Sequence, residues 1–150
     1  MRVILQRVQQ ASVKVDQKIT GEIEKGLLLL VGFEPEDTNE DFEWISKKIT
    51  QLRIFNDEND VMNWDIKQVN GELLVVSQFT LHASTKKGNR PSYIKASKPD
   101  LALEQYNQFL SVLRKTAGIE LQTGVFGADM KVELINDGPV TIFIDSKNKE

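Results

Sequence analysis

Ser77-Gln78-Phe79-Thr80-Leu81 places two hydroxyls and a carboxamide where the apolar run Leu73-Leu74-Val75-Val76 ends. A second cassette, Asn136-Asp137-Gly138-Pro139-Val140-Thr141, lies between the apolar stretches 132–135 and 140–144. Polar groups at the ends of buried strands are where a rigid scaffold can present chemistry. A Gly-Pro pair adds a fixed backbone kink that can shape a pocket with main-chain atoms. Ser77 or Thr80 could attack a carbonyl only if a neighbouring base took its proton. The only histidine is His82, and there is no G-x-S-x-G elbow, so nothing points to a Ser-His-Asp triad. Plainer alternatives stand beside each cassette. Ser77, Gln78 and Thr80 could satisfy backbone groups at a strand end, and Asp137-Gly138 could form a hairpin turn.

Composition narrows the chemistry further. The chain has no cysteine, which excludes a disulfide framework, a thiolate zinc site and a Cys nucleophile. One histidine excludes a two-histidine metal motif, so no metal and no cofactor are expected. The net charge of −3 gives no global nucleic-acid signature. The segment His82–Lys98 departs from that balance: Lys86, Lys87, Arg90, Lys95 and Lys98 occur without an acidic residue, and Tyr93 lies among them. Such a stretch could steer a phosphate backbone and stack a base. Equally, it could be a solvated surface loop.

The elements that must hold these groups are legible from periodicity. A chain of 150 residues is most simply one domain, 1–150, large enough to bury roughly 70% of its unfolded surface. Residues 2–15 alternate as a strand, with Val3, Leu5, Ala11, Val13 and Val15 of one parity. Arg7 and Gln9 share that parity. Either a bulge moves Val8 inward, the reading periodicity favours, or a cation sits at the edge of the buried face. Strands are predicted at 19–23 and 26–33, the second central because Leu27–Val31 is continuously apolar. Thr38 and Asp41 form an N-cap signature for a helix carrying Phe42, Ile45, Ile49 and Leu52 to about Arg53. Residues 56–65 read as a solvated loop and 72–81 as a strand. A second helix opens at Pro99 and stops at Gly118. Residues 130–136 and 139–146 read as a hairpin-like pair, and the tail Ser146–Glu150 as frayed. With no βαβ alternation visible, the expected fold is α+β: a mostly antiparallel, curved, barrel-like sheet with two main flanking helices. No apolar run approaches the ~20 residues of a membrane span and no signal-peptide core is present, so a cytoplasmic location is expected.

The two cassettes together resemble the paired signature of the D-aminoacyl-tRNA deacylases. The likeness runs over essentially the whole chain. It takes in Gln6-Arg7-Val8, Ala11-Ser12-Val13, Gly21-Glu22-Ile23, Gly26-Leu27-Leu28, Lys87-Gly88-Asn89-Arg90-Pro91-Ser92 and Phe126-Gly127-Ala128-Asp129-Met130. Departures fall at Asn59-Asp60-Val61-Met62-Asn63 and at His82 with Ser84-Thr85. The resemblance implies a proofreading esterase that releases a D-amino acid, or glycine, from the terminal adenosine of tRNA. It implies a homodimer with the active site at the subunit interface. There a cis Gly138-Pro139 motif of one subunit enters the pocket built around Ser77, Gln78, Phe79 and Thr80 of the other. Gly138 and Pro139 are then the chirality filter, Arg7 braces their loop, and Phe126 and Met130 wall the adenosine side. Lys87 and Arg90 fall in a block of the same family pattern and become substrate contacts.

The residue types suit that chemistry. A wall of main-chain carbonyls rejects any L side chain without pairing to it, whereas glycyl esters have nothing to clash. Backbone N–H groups near Phe79 and Thr80 could hold the oxyanion. Either Thr80 is a covalent nucleophile or the ribose 2′-hydroxyl of the substrate assists. Two alternatives of other classes stand against the hydrolase. One is a non-catalytic module that holds tRNA or another RNA end with the basic loop 86–98. The other is a binder of adenine nucleotides.

Overall fold

A computed structural model describes residues 1–149 of the chain. Its framework is a bent strand, β1 (Arg2–Val15), paired on both edges. On one edge β3 (Gly26–Gly32) pairs antiparallel with residues 2–8 and β2 (Lys18–Ile23) with residues 11–15. On the other edge β8 (Lys131–Asp145) runs antiparallel to residues 2–14. β3 continues the sheet through β6 (Glu72–Ser77) to β7 (Leu121–Thr123), both pairings parallel. Gly21 of β2 lies against Thr123 of β7, so the curved sheet nearly closes into a barrel.

The parallel pairs correct the expectation that no βαβ unit is present. α1 (Asn39–Gln51) lies in the connection from β3 to β6, and α2 (Pro99–Ala117) in that from β6 to β7. Long irregular segments separate each helix from the following or preceding strand and hide the alternation in sequence. Both helices pack on one face of the sheet. Leu27, Leu29, Val31, Leu73 and Val75 meet Phe42, Ile45, Ile49, Phe109 and Leu113 there. The opposite parity, Leu28, Leu74 and Val76, joins Val8, Ala11, Val13 and Ile23 inside the curve. Leu27–Val31 is thus covered on both faces, as its unbroken apolar run predicts.

At Arg7 the cation of the second alternative is found, and the slip in β1 comes only after Val8. Val3 and Leu5 face the helices, whereas Val8, Ala11 and Val13 face the inside of the curve. The change of face follows irregularities in the β1–β8 register between Gln6 and Val8 and between Val8 and Gln10. Arg7 itself is buried.

The C-terminal hairpin is absent. β8 is one strand whose two arms both pair with β1 and never with each other. An Asp-Gly turn cannot close here by the usual ladder, because the next residue, Pro139, has no N–H to return. Between Asn136 opposite Val8 and Thr141 opposite Gln6, residues 137–140 instead form an unpaired bulge, with Gly138 and Pro139 exposed. Asn136 Nδ2 donates to Thr141 Oγ1 at 2.9 Å across the base of this bulge. The Gly138-Pro139 peptide bond is cis.

Three smaller corrections concern segment ends. β6 stops at Ser77, and Phe79–His82 forms a 3₁₀ turn, because the neighbouring β3 ends at Gly32 and offers no further ladder. The predicted loop 56–65 holds the short hairpin β4 (Phe55–Asn56) with β5 (Met62–Trp64). The tail does not fray at Ser146: its hydroxyl accepts from the Met1 amino group at 2.7 Å. Lys147 Nζ donates to Asp41 at 2.7 Å. Glu150 lies outside the described residues.

Candidate active site

The carboxyl ends of the parallel strands β3 and β6 open into a cleft of about 670 Å³. Ligands bind at such strand ends in open α/β sheets, and the volume suits a nucleoside with a small appendage. Ser77, Gln78 and Phe79 form one wall, Phe126 and Met130 another, and Tyr93 and the first turn of α2 a third. A second groove of about 610 Å³ lies elsewhere and includes Glu22, Glu24, Glu72 and Glu133 in its lining. Four carboxylates would repel a phosphate-bearing ligand, which leaves the first cleft as the candidate.

Close packing fixes the first wall. β3 ends in Gly32, where an added Cβ would lie 2.7 Å from Gln78 O, so a side chain there would push the 3₁₀ turn away. Gln78 N–H donates to Val31 O at 2.7 Å and completes the junction. The next two amides, those of Phe79 and Thr80, have no hydrogen-bond partner among the described residues. They open the 3₁₀ turn, where first-turn donors have no carbonyl within the helix.

The side chains of this cassette do not satisfy the backbone, as their residue types allowed. Gln78 Nε2 donates to Thr80 Oγ1 in a short contact. Among the described residues, no carboxylate, lysine or imidazole hydrogen-bonds to the Thr80 hydroxyl. His82, two residues on, is 1% exposed and neither ring nitrogen has a partner among the described residues. A histidine-activated hydroxyl is therefore not assembled in this structure.

Aromatic packing sets the other walls. The Phe126 ring lies 5.6 Å from that of Tyr106, whose hydroxyl donates to Val75 O at 3.0 Å. Burial pushes the Tyr106 phenol up to about 12, so it stays a neutral donor across physiological pH. Phe79 is 55% exposed and meets the Tyr93 ring edge-on at 5.1 Å. Both rings stand at the mouth of the cleft, where a flat partner could stack.

Arg7, Gly138 and Pro139 form a separate assembly and do not line this chain's cleft. Arg7 Nε donates to Asp137 O at 3.2 Å and pairs with the Asp137 carboxylate at 3.3 Å. Arg7 Nη1 donates to Ile54 O at 2.6 Å, and it reaches Asn56 Oδ1 at 3.4 Å. A buried guanidinium thus ties the β4–β5 hairpin to the bulge of β8, and Gly138 and Pro139 project exposed beyond it. Lys87 and Arg90 stay outside both assemblies. They sit on an exposed loop closed by a Ser84–Ser92 bridge, with no ion pair among the described residues.

The structure brings Ser77, Gln78 and Phe79 together with Phe126 and Met130 at one cleft, and Thr80 is not among the residues that line it. Sequence reasoning missed Ser97, Lys98 and Ala102 as lining residues. Pro99 marked a helix start, but only the crossover from β6 carries that start back over the strand ends.

A family model described as D-Tyr-tRNA(Tyr) deacylase matches residues 4–145. Proteins named D-aminoacyl-tRNA deacylase from Flavobacterium psychrophilum and Parabacteroides distasonis are 64% and 63% identical over 150 residues, covering all of each chain. Among solved structures, the c-Myc DNA unwinding element binding protein superposes with a TM-score of 0.90 at 39% identity, over 97% of this chain and 98% of that one. A probable eukaryotic D-amino acid tRNA deacylase gives 0.82 at 17% identity, over 95% and 97%, a likeness of fold.

Proposed function

The chain belongs to the D-Tyr-tRNA(Tyr) deacylase family, and from that membership we propose that it hydrolyses D-aminoacyl-tRNA to free tRNA and a D-amino acid. The observation that carries the chemistry is the pair of amides of Phe79 and Thr80, without a partner among the described residues, at the end of the Ser77–Phe79 wall of the cleft. Water adds to the ester carbonyl carbon, and these amides hold the oxyanion that forms. One well-placed donor of this kind is worth about 3–4 kcal/mol. The bond to the ribose 3′-oxygen then breaks, and that oxygen takes a proton relayed through the adjacent 2′-hydroxyl. No base among the described residues hydrogen-bonds to Thr80, which favours assistance by the substrate over a Thr80 acyl-enzyme.

Selectivity is assigned to Gly138 and Pro139 acting on the cleft of a second subunit. Two features support a shared site. The motif is exposed and does not line its own cleft. β8 also leaves its outer edge without a strand partner among the described residues, with Leu134, Ile135 and Phe143 exposed along the strand. Long apolar edges of this kind are normally covered, and a two-fold pairing of identical edges would cover both. Carbonyls of the inserted loop would then meet any L side chain, while D-aminoacyl and glycyl esters pass. Phe126 and Met130 would wall the terminal adenosine, and Lys87 and Arg90 would meet the tRNA backbone, in the cytoplasm where tRNA is charged.

The exposed basic loop also supports a second reading, a non-catalytic binder of nucleic-acid ends, and one relative is named for binding a DNA element. Incubating the protein with D-tyrosyl-tRNA separates the two. Multiple turnovers of released D-tyrosine support the hydrolase. Salt-sensitive binding with the ester left intact supports the binder.

A further inference from the structure

The two helices begin differently. α1 closes its N-terminus with Asp41, whose carboxylate accepts from Thr38 N–H at 2.8 Å. α2 has Lys98 at its N-cap, with no side-chain hydrogen bond to the helix. Lysine is a poor capping residue. Pro99 contributes no N–H, and Ala102 N–H already donates to Lys98 O. The free donors of the turn are the amides of Asp100 and Leu101, which have no partner among the described residues. A helix of 19 residues concentrates partial positive charge at this end. The exposed Lys98 ammonium adds to it, and the exposed Asp100 carboxylate opposes it.

Ser97 supplies an independent indication of a ligand. It is 7% exposed, lines the cleft, and its Oγ is buried with no hydrogen-bond partner among the described residues. Buried hydroxyls are ordinarily paired, because leaving one without a partner is costly. A serine Oγ moves between staggered positions by rotation about χ1, so a ligand atom in the cleft can complete it.

We propose that Ser97 Oγ and the open N-terminus of α2 bind the phosphodiester on the 5′ side of the substrate's terminal nucleoside, with Lys98 as its counter-ion at the cleft mouth. This rests on the deacylase function proposed above and extends it to the other end of the nucleoside. The reacting ester lies at the Phe79 and Thr80 amides and the nucleoside against Phe126 and Met130. The 5′ end must leave past the remaining wall, which is the start of α2. The aminoacyl end of the substrate carries an ammonium and a neutral ester, so the anion available to this wall is the phosphodiester. The carboxylate of the released amino acid forms instead at the Phe79 and Thr80 amides.

The test titrates the parent, Ser97→Ala and Lys98→Gln with adenosine 5′-monophosphate, adenosine and D-tyrosine. It also compares hydrolysis of 3′-D-tyrosyl-adenosine with and without a 5′-phosphate. A hydrogen bond to a charged group is worth about a factor of ten in affinity. The parent should therefore prefer the monophosphate over adenosine roughly tenfold, and the phosphorylated ester should show a correspondingly lower KM at similar kcat. Ser97→Ala and Lys98→Gln should each narrow both preferences, and adenosine that still binds shows that the cleft is intact. Equal handling of the phosphorylated and unphosphorylated ligands by the parent would overturn the proposal. So would a preference undiminished in both variants, or displacement of the monophosphate by D-tyrosine. If the monophosphate preference behaves as expected but neither ester is hydrolysed, the phosphate site stands and the deacylase function falls.

Discussion

Gly138→Ala probes the projecting loop at the point where its geometry is tightest. Gly138 has φ +113°, outside the range in which an L side chain sits without strain. A Cβ there would lie 2.5 Å from Arg7 Nη2, 3.2 Å from Val140 Cγ2 and 3.4 Å from Arg7 Cζ. The backbone conformation alone costs about 1–3 kcal/mol for a non-glycine residue. Arg7 cannot swing aside freely, because it is held by Ile54 O at 2.6 Å and Asp137 O at 3.2 Å. Losing one such charge-assisted bond costs a further ~1.5–3 kcal/mol. The cheaper response is for the loop to shift, and a displacement of about 1 Å at a positioned site typically costs on the order of 10²-fold in rate. Urea unfolding should thus register a loss of about 1–3 kcal/mol. Meanwhile kcat/KM for D-tyrosyl-tRNA should fall on the order of 10²-fold, far beyond what lost folding accounts for. Gly118→Ala is the control: φ is +69° at the end of α2, no atom lies within 4 Å of the added Cβ, and only stability should change. A folded Gly138→Ala protein that deacylates within about threefold of the parent would refute the assignment of the loop to the site.

Thr80→Ala removes a hydroxyl whose hydrogen bond among the described residues is to Gln78, so activity should stay within about threefold of the parent, and substrate ending in 2′-deoxyadenosine should be inert; an acyl group trapped on Thr80 would reverse that assignment. With no cysteine, one buried histidine and no cluster of three or more metal-ligating side chains among the described residues, exhaustive chelation should leave turnover unchanged. Loss of activity restored by zinc, with tRNA folding controlled, would contradict this. Tyr106 is raised from 10.0 to about 12 by burial, so the folded state binds its proton more tightly than the unfolded one. The resulting stability is complete below pH 10 and is lost as pH rises through about 12. The melting temperature should fall across that window less steeply in Tyr106→Phe, and identical profiles would refute the role given to burial.

Where local pattern and tertiary structure act together, the sequence was readable. The unbroken run Leu27–Val31 announced a strand covered on both faces, and Thr38 with Asp41 announced the start of α1. Periodicity favoured a bulge at Arg7 over a cation on the apolar face, because the partners of the guanidinium, Ile54 O and the Asp137 backbone, come from segments far along the chain. Non-local decisions escaped. Asp137-Gly138 has the local chemistry of a turn, but the pairing of both β8 arms with β1 overrides it. β7 spans only 121–123, too short to display a period. The place of Ser97 in the cleft has no signal in its neighbours, because it arises only where α2 returns over the ends of β3 and β6.

The measurement that bears most directly on the central claim compares kcat/KM for D-tyrosyl-tRNA and L-tyrosyl-tRNA built on the same tRNA, with glycyl-tRNA alongside. A site that excludes by a main-chain wall should turn over the D-ester, admit the glycyl ester and leave the L-ester at its spontaneous rate. Hydrolysis of D- and L-esters at comparable rates would contradict a chirality filter at Gly138 and Pro139, and hydrolysis of neither would contradict the deacylase function itself.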